Sequence, residues 1–134
     1  MKLSTKSRYG LKIMYFLAQN NSDNFQNVSN IAIATGGSEK YIEKLLSGLK
    51  NANLIVSSRG NDGGYKLINA PSAITCGQIL RAMEEDLVFA DCVGNHKCSK
   101  NCPNRNVFKK LYNSINSTLD SITLQDMIEE SKGE

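Results

Sequence analysis

The sequence predicts a mainly α fold with a small β-hairpin: a winged helix-turn-helix followed by a long C-terminal helix suited to dimerisation. Three observations predict it. Two short helical patterns flank Gly36-Gly37, an Asp62-Gly63 turn sits between two β-rich runs directly after them, and a long amphipathic pattern opens near Asn104. At 134 residues, 40% hydrophobic and 22% charged, the chain suits one soluble domain or a small domain with an appended helix.

Ser4 or Thr5 can cap a first helix that runs to about Asn20, because Tyr9, Ile13, Phe16 and Leu17 recur at helical spacing. Lys6, Arg8 and Lys12 flank that apolar stripe. The polar run Asn20 to Asn24 leads to a short helix from Val28 to Thr35, with Ser29 as the expected N-cap and Ile31, Ala32 and Ala34 as the expected packing face. Gly36-Gly37 breaks this helix, since either glycine can take the left-handed turn. Ser38 caps a further helix to about Asn51, with Tyr41, Ile42, Leu45, Leu46 and Leu49 inward. Two short helices joined by a tight Gly-containing turn outline a helix-turn-helix, although an ordinary helical hairpin carries the same signature. In the former, the second helix enters the major groove led by its N-terminal residues, here Ser38, Lys40, Tyr41, Glu43 and Lys44.

Leu54-Ile55-Val56 begins a strand, residues 60–64 turn, and Tyr65 to Ile68 return, which is a strong hairpin signal. Arg59, at the base of the turn, suits a minor groove, whose negative potential attracts arginine. Pro71 closes this wing. A helix from Ile74 to Met83 follows, with Cys76 at its start as a small buried hydrophobe. Glu84-Glu85-Asp86 reads as a solvated acidic patch. From Asn104 to about Ser121, Val107, Phe108, Leu111, Ile115, Leu119 and Ile122 form one stripe, opposite Lys109, Lys110, Asn113, Asn116 and Asp120. Such a stripe docks either on its own domain or on the same helix of a second chain. Thr123 and Asp126 make a capping-box variant that opens a last helix carrying Met127 and Ile128.

Between these elements lies D-C-V-G-N-H-K-C-S-K-N-C-P, residues 91–103. It holds Cys92, Cys98 and Cys102, three of the four cysteines, and the one histidine, His96. Its other residues are too polar to bury an apolar face. Thiolates this close suit a soft or borderline metal, either an iron–sulfur cluster or zinc. The N-terminus starts basic and turns apolar, but Lys12 interrupts it and no small-residue cleavage site follows, so the chain is expected to be cytoplasmic. In that reducing compartment clustered cysteines point to metal or redox sensing rather than to disulfides. Residues 1–66 carry nine Lys or Arg against four Asp or Glu, while residues 67–134 carry seven against nine. The basic front half is therefore the candidate for an anionic partner such as nucleic acid, unless the surplus is simply a solvated surface. Nothing in the sequence pairs a nucleophile with a base or places a phosphate-binding glycine motif before a helix, so an enzyme is not expected.

L-S-T-K-S-R-Y-G-L (3–11), S-E-K-Y-I-E-K-L-L-S-G-L (38–49), S-S-R-G-N-D-G-G-Y-K-L (57–67) and I-T-L-Q-D (122–126) together resemble the Rrf-two family of bacterial transcription regulators over essentially the whole chain. The R-G-x-x-G-G-Y core is the most specific of these stretches. Members of that family include an iron–sulfur regulator, a nitric-oxide sensor and a regulator of cysteine metabolism. The resemblance implies a winged helix-turn-helix homodimer, held by the long helix, on a palindromic operator with half-sites about 34 Å apart. It implies Ser38, Tyr41 and Glu43 on the recognition helix and Arg59 on the wing. Glu43 would accept from a cytosine amino group, and Lys6, Arg8, Lys40 and Lys44 would hold phosphates.

Cys92 and Cys98 match the family's first two ligand positions. Cys102 comes after three residues, where the iron–sulfur member has five, and Arg105 stands where that member has a histidine. Arg8 stands where some members supply an acidic ligand from the partner subunit. The fourth ligand is thus open among His96, Asp91, water and a small thiol. The expected organisation is a DNA-binding domain over 1–83, a cysteine-containing sensor loop over 84–103, and the dimerisation and C-terminal helices over 104–134. The leading expectation is a transcription regulator responding to an iron–sulfur cluster or to redox, iron or nitric-oxide signals. The alternatives keep the family and drop the iron, in favour of zinc, a thiol switch or a partner metabolic enzyme.

Overall fold

The computed structural model describes residues 3–21, 24–84 and 102–133. Among them are six α-helices and one two-stranded antiparallel sheet, the expected fold class.

Helix α1 (Thr5–Gln19) starts at Ser4, whose side chain accepts from the Ser7 N–H. It buries Ile13, Met14 and Leu17. Helix α2 (Val28–Thr35) is capped by Asn27, which accepts from the Asn30 N–H at 2.8 Å, and not by Ser29. Both residue types cap well, and the helix begins two residues earlier than Ser29 would require. Ile31, Ala32 and Thr35 are its buried residues. Ala34, expected to pack, is exposed.

Gly36 ends α2 with φ of 83°, and its N–H closes on the Ala32 carbonyl. This left-handed residue costs glycine nothing and lets the chain reverse into α3 (Glu39–Asn51). Ser38 caps α3 by accepting from the Tyr41 N–H, and Ile42, Leu45, Leu46 and Leu49 are buried at the expected spacing.

Strands β1 (Ile55–Ser58) and β2 (Gly64–Leu67) pair from Ile55 with Leu67 to Ser58 with Gly64. Gln26, just before α2, exchanges two backbone hydrogen bonds with Tyr65, at 2.9 and 2.8 Å. The wing is thereby tied to the helix-turn-helix. Gly64, with φ of 147°, leaves the space that the Gln26 carbonyl fills. A single 3-10 turn, Pro71–Ala73, precedes α4 (Cys76–Met83). Thr75 and Gln78 form a capping box there, so α4 begins at Cys76 and Ile74 remains extended.

Helix α5 (Arg105–Ser121) buries none of its residues in the single chain, and Val107 and Leu111 are 56% and 47% exposed. Its tie to α4 is a fork: Arg81 donates to both Asp120 oxygens, at 2.6 and 3.1 Å, and to Asn116 at 2.7 Å. The fork holds the Asp120 carboxyl below its usual range and raises the Arg81 guanidinium. Both groups are well exposed, so the fork's role is orientation rather than stability. Helix α6 (Leu124–Lys132) opens with the expected Thr123–Asp126 capping box. It packs back on α1, seals Leu124 in the core, and is laced to Ile74 and Cys76 through backbone bonds from Leu124 and to Ile122.

One core joins Ile13, Met14 and Leu17 to Ile31, to Ile42, Leu46 and Leu49, and to Ile55, Ile74, Ile79 and Leu124. Leu46 is fully buried at its centre. Leu46→Ala is expected to cost about 2–5 kcal/mol in thermal or denaturant unfolding, from lost transfer energy and the cavity left behind. Ser47→Ala, on the exposed face of the same helix, is expected to stay within about 0.5 kcal/mol of the parent.

Candidate nucleic-acid interface

The buried residues of α3 fix which of its side chains face solvent. Lys40, Glu43 and Lys44 are exposed and fall at i, i+3 and i+4, within about 100° of arc on the helix. The structure brings these three predicted residues together. Ser38 precedes them, and its hydroxyl oxygen is occupied by the cap.

Tyr41 is turned away from that stripe. It is half-buried and meets Tyr9 of α1 edge to face, with ring centroids 5.5 Å apart and an interplanar angle of 87°. Lys12 lies 5.2 Å from the Tyr9 ring centre. Tyr41 therefore ties the recognition helix to α1, a contact worth about 0.5–1.5 kcal/mol beyond area burial. Helical spacing places Tyr41 inward, as observed, but carries no sign of the Tyr9 partner.

Lys6 and Arg8 are both exposed on the first turns of α1, where Arg8 also reaches the Thr5 hydroxyl at 3.5 Å. Two residues apart, they point about 200° from each other around the helix and cannot hold the same phosphate. Arg59 is exposed directly after β1, at the base of the wing. On β2, Lys66 lies 4.7 Å from the Phe25 ring centre, a cation–π contact that sequence reasoning missed because the two are far apart in the chain.

Of the predicted metal ligands, Cys92, Cys98 and His96 lie outside the described residues. Cys102 is half-buried with a free thiol, and its carbonyl accepts from the Arg105 N–H at the start of α5. Cys76 is buried, as expected, against the Met127 sulfur at 3.7 Å. Burial, aided by Asp126 and Glu130, pushes its thiol up, so it is a poor thiolate. Glu84, expected to be a solvated acid, is half-buried and bonded to α1. Glu85 and Asp86 lie outside the described residues. No helix among the described residues is long and apolar enough to cross a membrane.

A family model for Rrf2, described as an iron-dependent transcriptional regulator, matches residues 3–130. The chain belongs to the Rrf2 family. This Rrf2 regulator is 37% identical over 134 residues to the HTH-type transcriptional regulator CymR of Bacillus subtilis, covering 100% of the chain and 94% of that relative. The solved structure of CymR, the global cysteine regulator of B. subtilis, superposes with a TM-score of 0.83 at 35% identity, over 97% of this chain and 98% of that one. The solved structure of T. potens IscR superposes with a TM-score of 0.81 at 35% identity, over 98% and 88%. The protein is a transcription regulator. The helix-turn-helix reading of α2 and α3 now stands over the plain helical hairpin.

Proposed function

We propose that this Rrf2 regulator grips duplex DNA as a homodimer through α3 and the wing, and that a metal or redox signal at Cys92, Cys98 and Cys102 adjusts the grip. The observation that carries the first half is the solvent-facing stripe Lys40, Glu43, Lys44 on a capped second helix, with Arg59 exposed at the attached hairpin. Lys40 and Lys44, with Lys6 and Arg8, hold phosphates and supply affinity. Glu43 reads a cytosine amino group, while Ser38 and Tyr41 set the helix that presents it. Arg59 enters the minor groove. The exposed apolar stripe of α5 supports pairing of two such chains, which sets the distance between the two copies of α3. Residues 1–83 carry the DNA contacts, 84–103 the sensor and 104–134 the dimer helix, with α6 returned onto α1.

The donor set fits a soft metal. Three thiols within residues 92–102 suit an iron–sulfur cluster, with His96 chemically able to complete it. Such a cluster is lost or altered by oxidant, nitric oxide or iron shortage. Cys102 stands just before α5, so a change at the thiols acts on the start of the dimer helix. Coupling of this kind needs an element with two arrangements that both sites bias, and that junction is the candidate. Similarity to a cysteine regulator over the whole chain favours a second reading, in which zinc or the bare thiols carry the signal without iron.

Iron, sulfide and zinc analysis of protein prepared without oxygen separates the two. Iron and sulfide together, with visible colour lost in Cys92→Ala, are expected. Zinc, or no metal with a thiol-dependent DNA response, supports the second reading. A colourless, metal-free protein whose DNA affinity is indifferent to Cys92→Ala contradicts both.

A further inference from the structure

Met83 and Glu84 end α4 and are the last described residues before the stretch that leads to the cysteines. Glu84 faces α1. One of its oxygens, Oε1, accepts from the Ser4 N–H at 2.9 Å and from the Ser7 hydroxyl at 2.7 Å. Ser7 is fully buried, and Ser4 is the N-cap of α1, accepting from the Ser7 N–H at 3.2 Å. A single carboxylate therefore fixes both serines that set where α1 begins. A negative group at a helix N-terminus is also favoured by the helix dipole. The bonds from Ser4 and Ser7 hold the Glu84 carboxyl below its usual range.

Met83 works on the other side. A Cβ on Gly10 would come within 2.6 Å of Met83 Cγ, and a Cβ on Gly48 within 3.2 Å of Met83 Cε. The thioether is thus seated between α1 and α3 where two glycines leave room. The helices that carry Lys6, Arg8, Lys40 and Lys44 both contact this dipeptide, α1 through Ser7 and Gly10 and α3 through Gly48.

We propose that Glu84 is a positioning residue, which holds the first turn of α1, and with it Lys6 and Arg8, in the orientation that meets a duplex backbone. The inference rests on the DNA reading above and deepens it. Glu84 touches no DNA itself and acts through Ser4 and Ser7.

The test compares wild type, Glu84→Ala, Glu84→Gln and Ser7→Ala as dimers on a duplex selected by the wild type from a random pool. Affinity is read across a salt series. Loss of Lys6 and Arg8 from both protomers removes four phosphate contacts, so Glu84→Ala is expected to flatten the log–log salt slope by about 3.6, at about 0.9 per phosphate. Glu84→Gln keeps an acceptor oxygen for the two serines and should retain most of the wild-type slope, and Ser7→Ala should fall between. A Glu84→Ala dimer that melts lower but keeps the wild-type slope overturns the proposal and leaves a merely structural role. So does equal tightening of binding in Glu84→Ala and Glu84→Gln, which would mean that only the negative charge matters. Failure of the wild type itself to bind any duplex would overturn the DNA reading instead, and the two failures are told apart by that control.

Discussion

Leu111→Asp with Ile115→Asp is expected to leave this regulator monomeric and to weaken operator binding by about 10²–10⁴-fold. Both side chains lie on the apolar stripe of α5, where Leu111 is exposed and Ile115 half-buried in the single chain. No residue of α5 is buried in the single chain, so its apolar stripe is the surface that the proposed second copy would cover. Four carboxylates brought into that seam would face each other without partners. The loss on DNA follows from linkage. The second half-site is bound at an effective concentration in the millimolar range while the dimer holds, and that advantage of about 10²–10⁴ disappears with it. Neither side chain belongs to the buried core, so cooperative melting of the body should survive. Sedimentation gives the oligomeric state, and titration of the selected duplex gives the affinity. A dimeric double variant would show that α5 is not the seam.

The second large effect concerns salt. Lys40 and Lys44 face solvent on α3, and a dimer presents four such side chains. If each neutralises one phosphate, Lys40→Ala with Lys44→Ala lowers the log–log slope by about 3.6. Between about 50 and 200 mM salt the wild type then loses roughly a hundredfold more affinity than the variant. Preference among duplex sequences should change little, because phosphate contacts carry no base information. Glu43→Ala is the complement: a change in preferred sequence with a small effect on slope. A double lysine variant that keeps the wild-type slope would place the duplex elsewhere on the molecule.

Much of this architecture was legible in the residues because local signals and tertiary demands agree. Ser38 caps, Ile42, Leu45, Leu46 and Leu49 repeat at helical spacing, and Asp62-Gly63 turns a hairpin whose strands pair as expected. What escaped depends on partners distant in the chain. Glu84 read as one of three solvated acids, because nothing in its neighbours announces Ser4 and Ser7, 80 and 77 residues away. Tyr41 is placed inward by its spacing, but spacing cannot name Tyr9 as the ring it meets. The N-cap of α2 was assigned to Ser29 where Asn27, of nearly equal capping strength, holds the position. The return of α6 onto α1 follows from Leu124 and the backbone bonds at Ile74 and Cys76, which periodicity does not encode. At the thiols the spacing names three soft donors, of which Cys92 and Cys98 lie outside the described residues and Cys102 is a half-buried free thiol just before α5.

The most direct measurement is the affinity of the wild type, prepared without oxygen, for its selected duplex before and after treatment with an iron chelator or a mild oxidant. The expected result is a shift of about tenfold or more, a coupling free energy in the usual range of about 1–3 kcal/mol, that vanishes in Cys92→Ala. An affinity that is unchanged by the treatment, or that shifts equally in Cys92→Ala, would contradict a regulator whose hold on DNA is set by these cysteines.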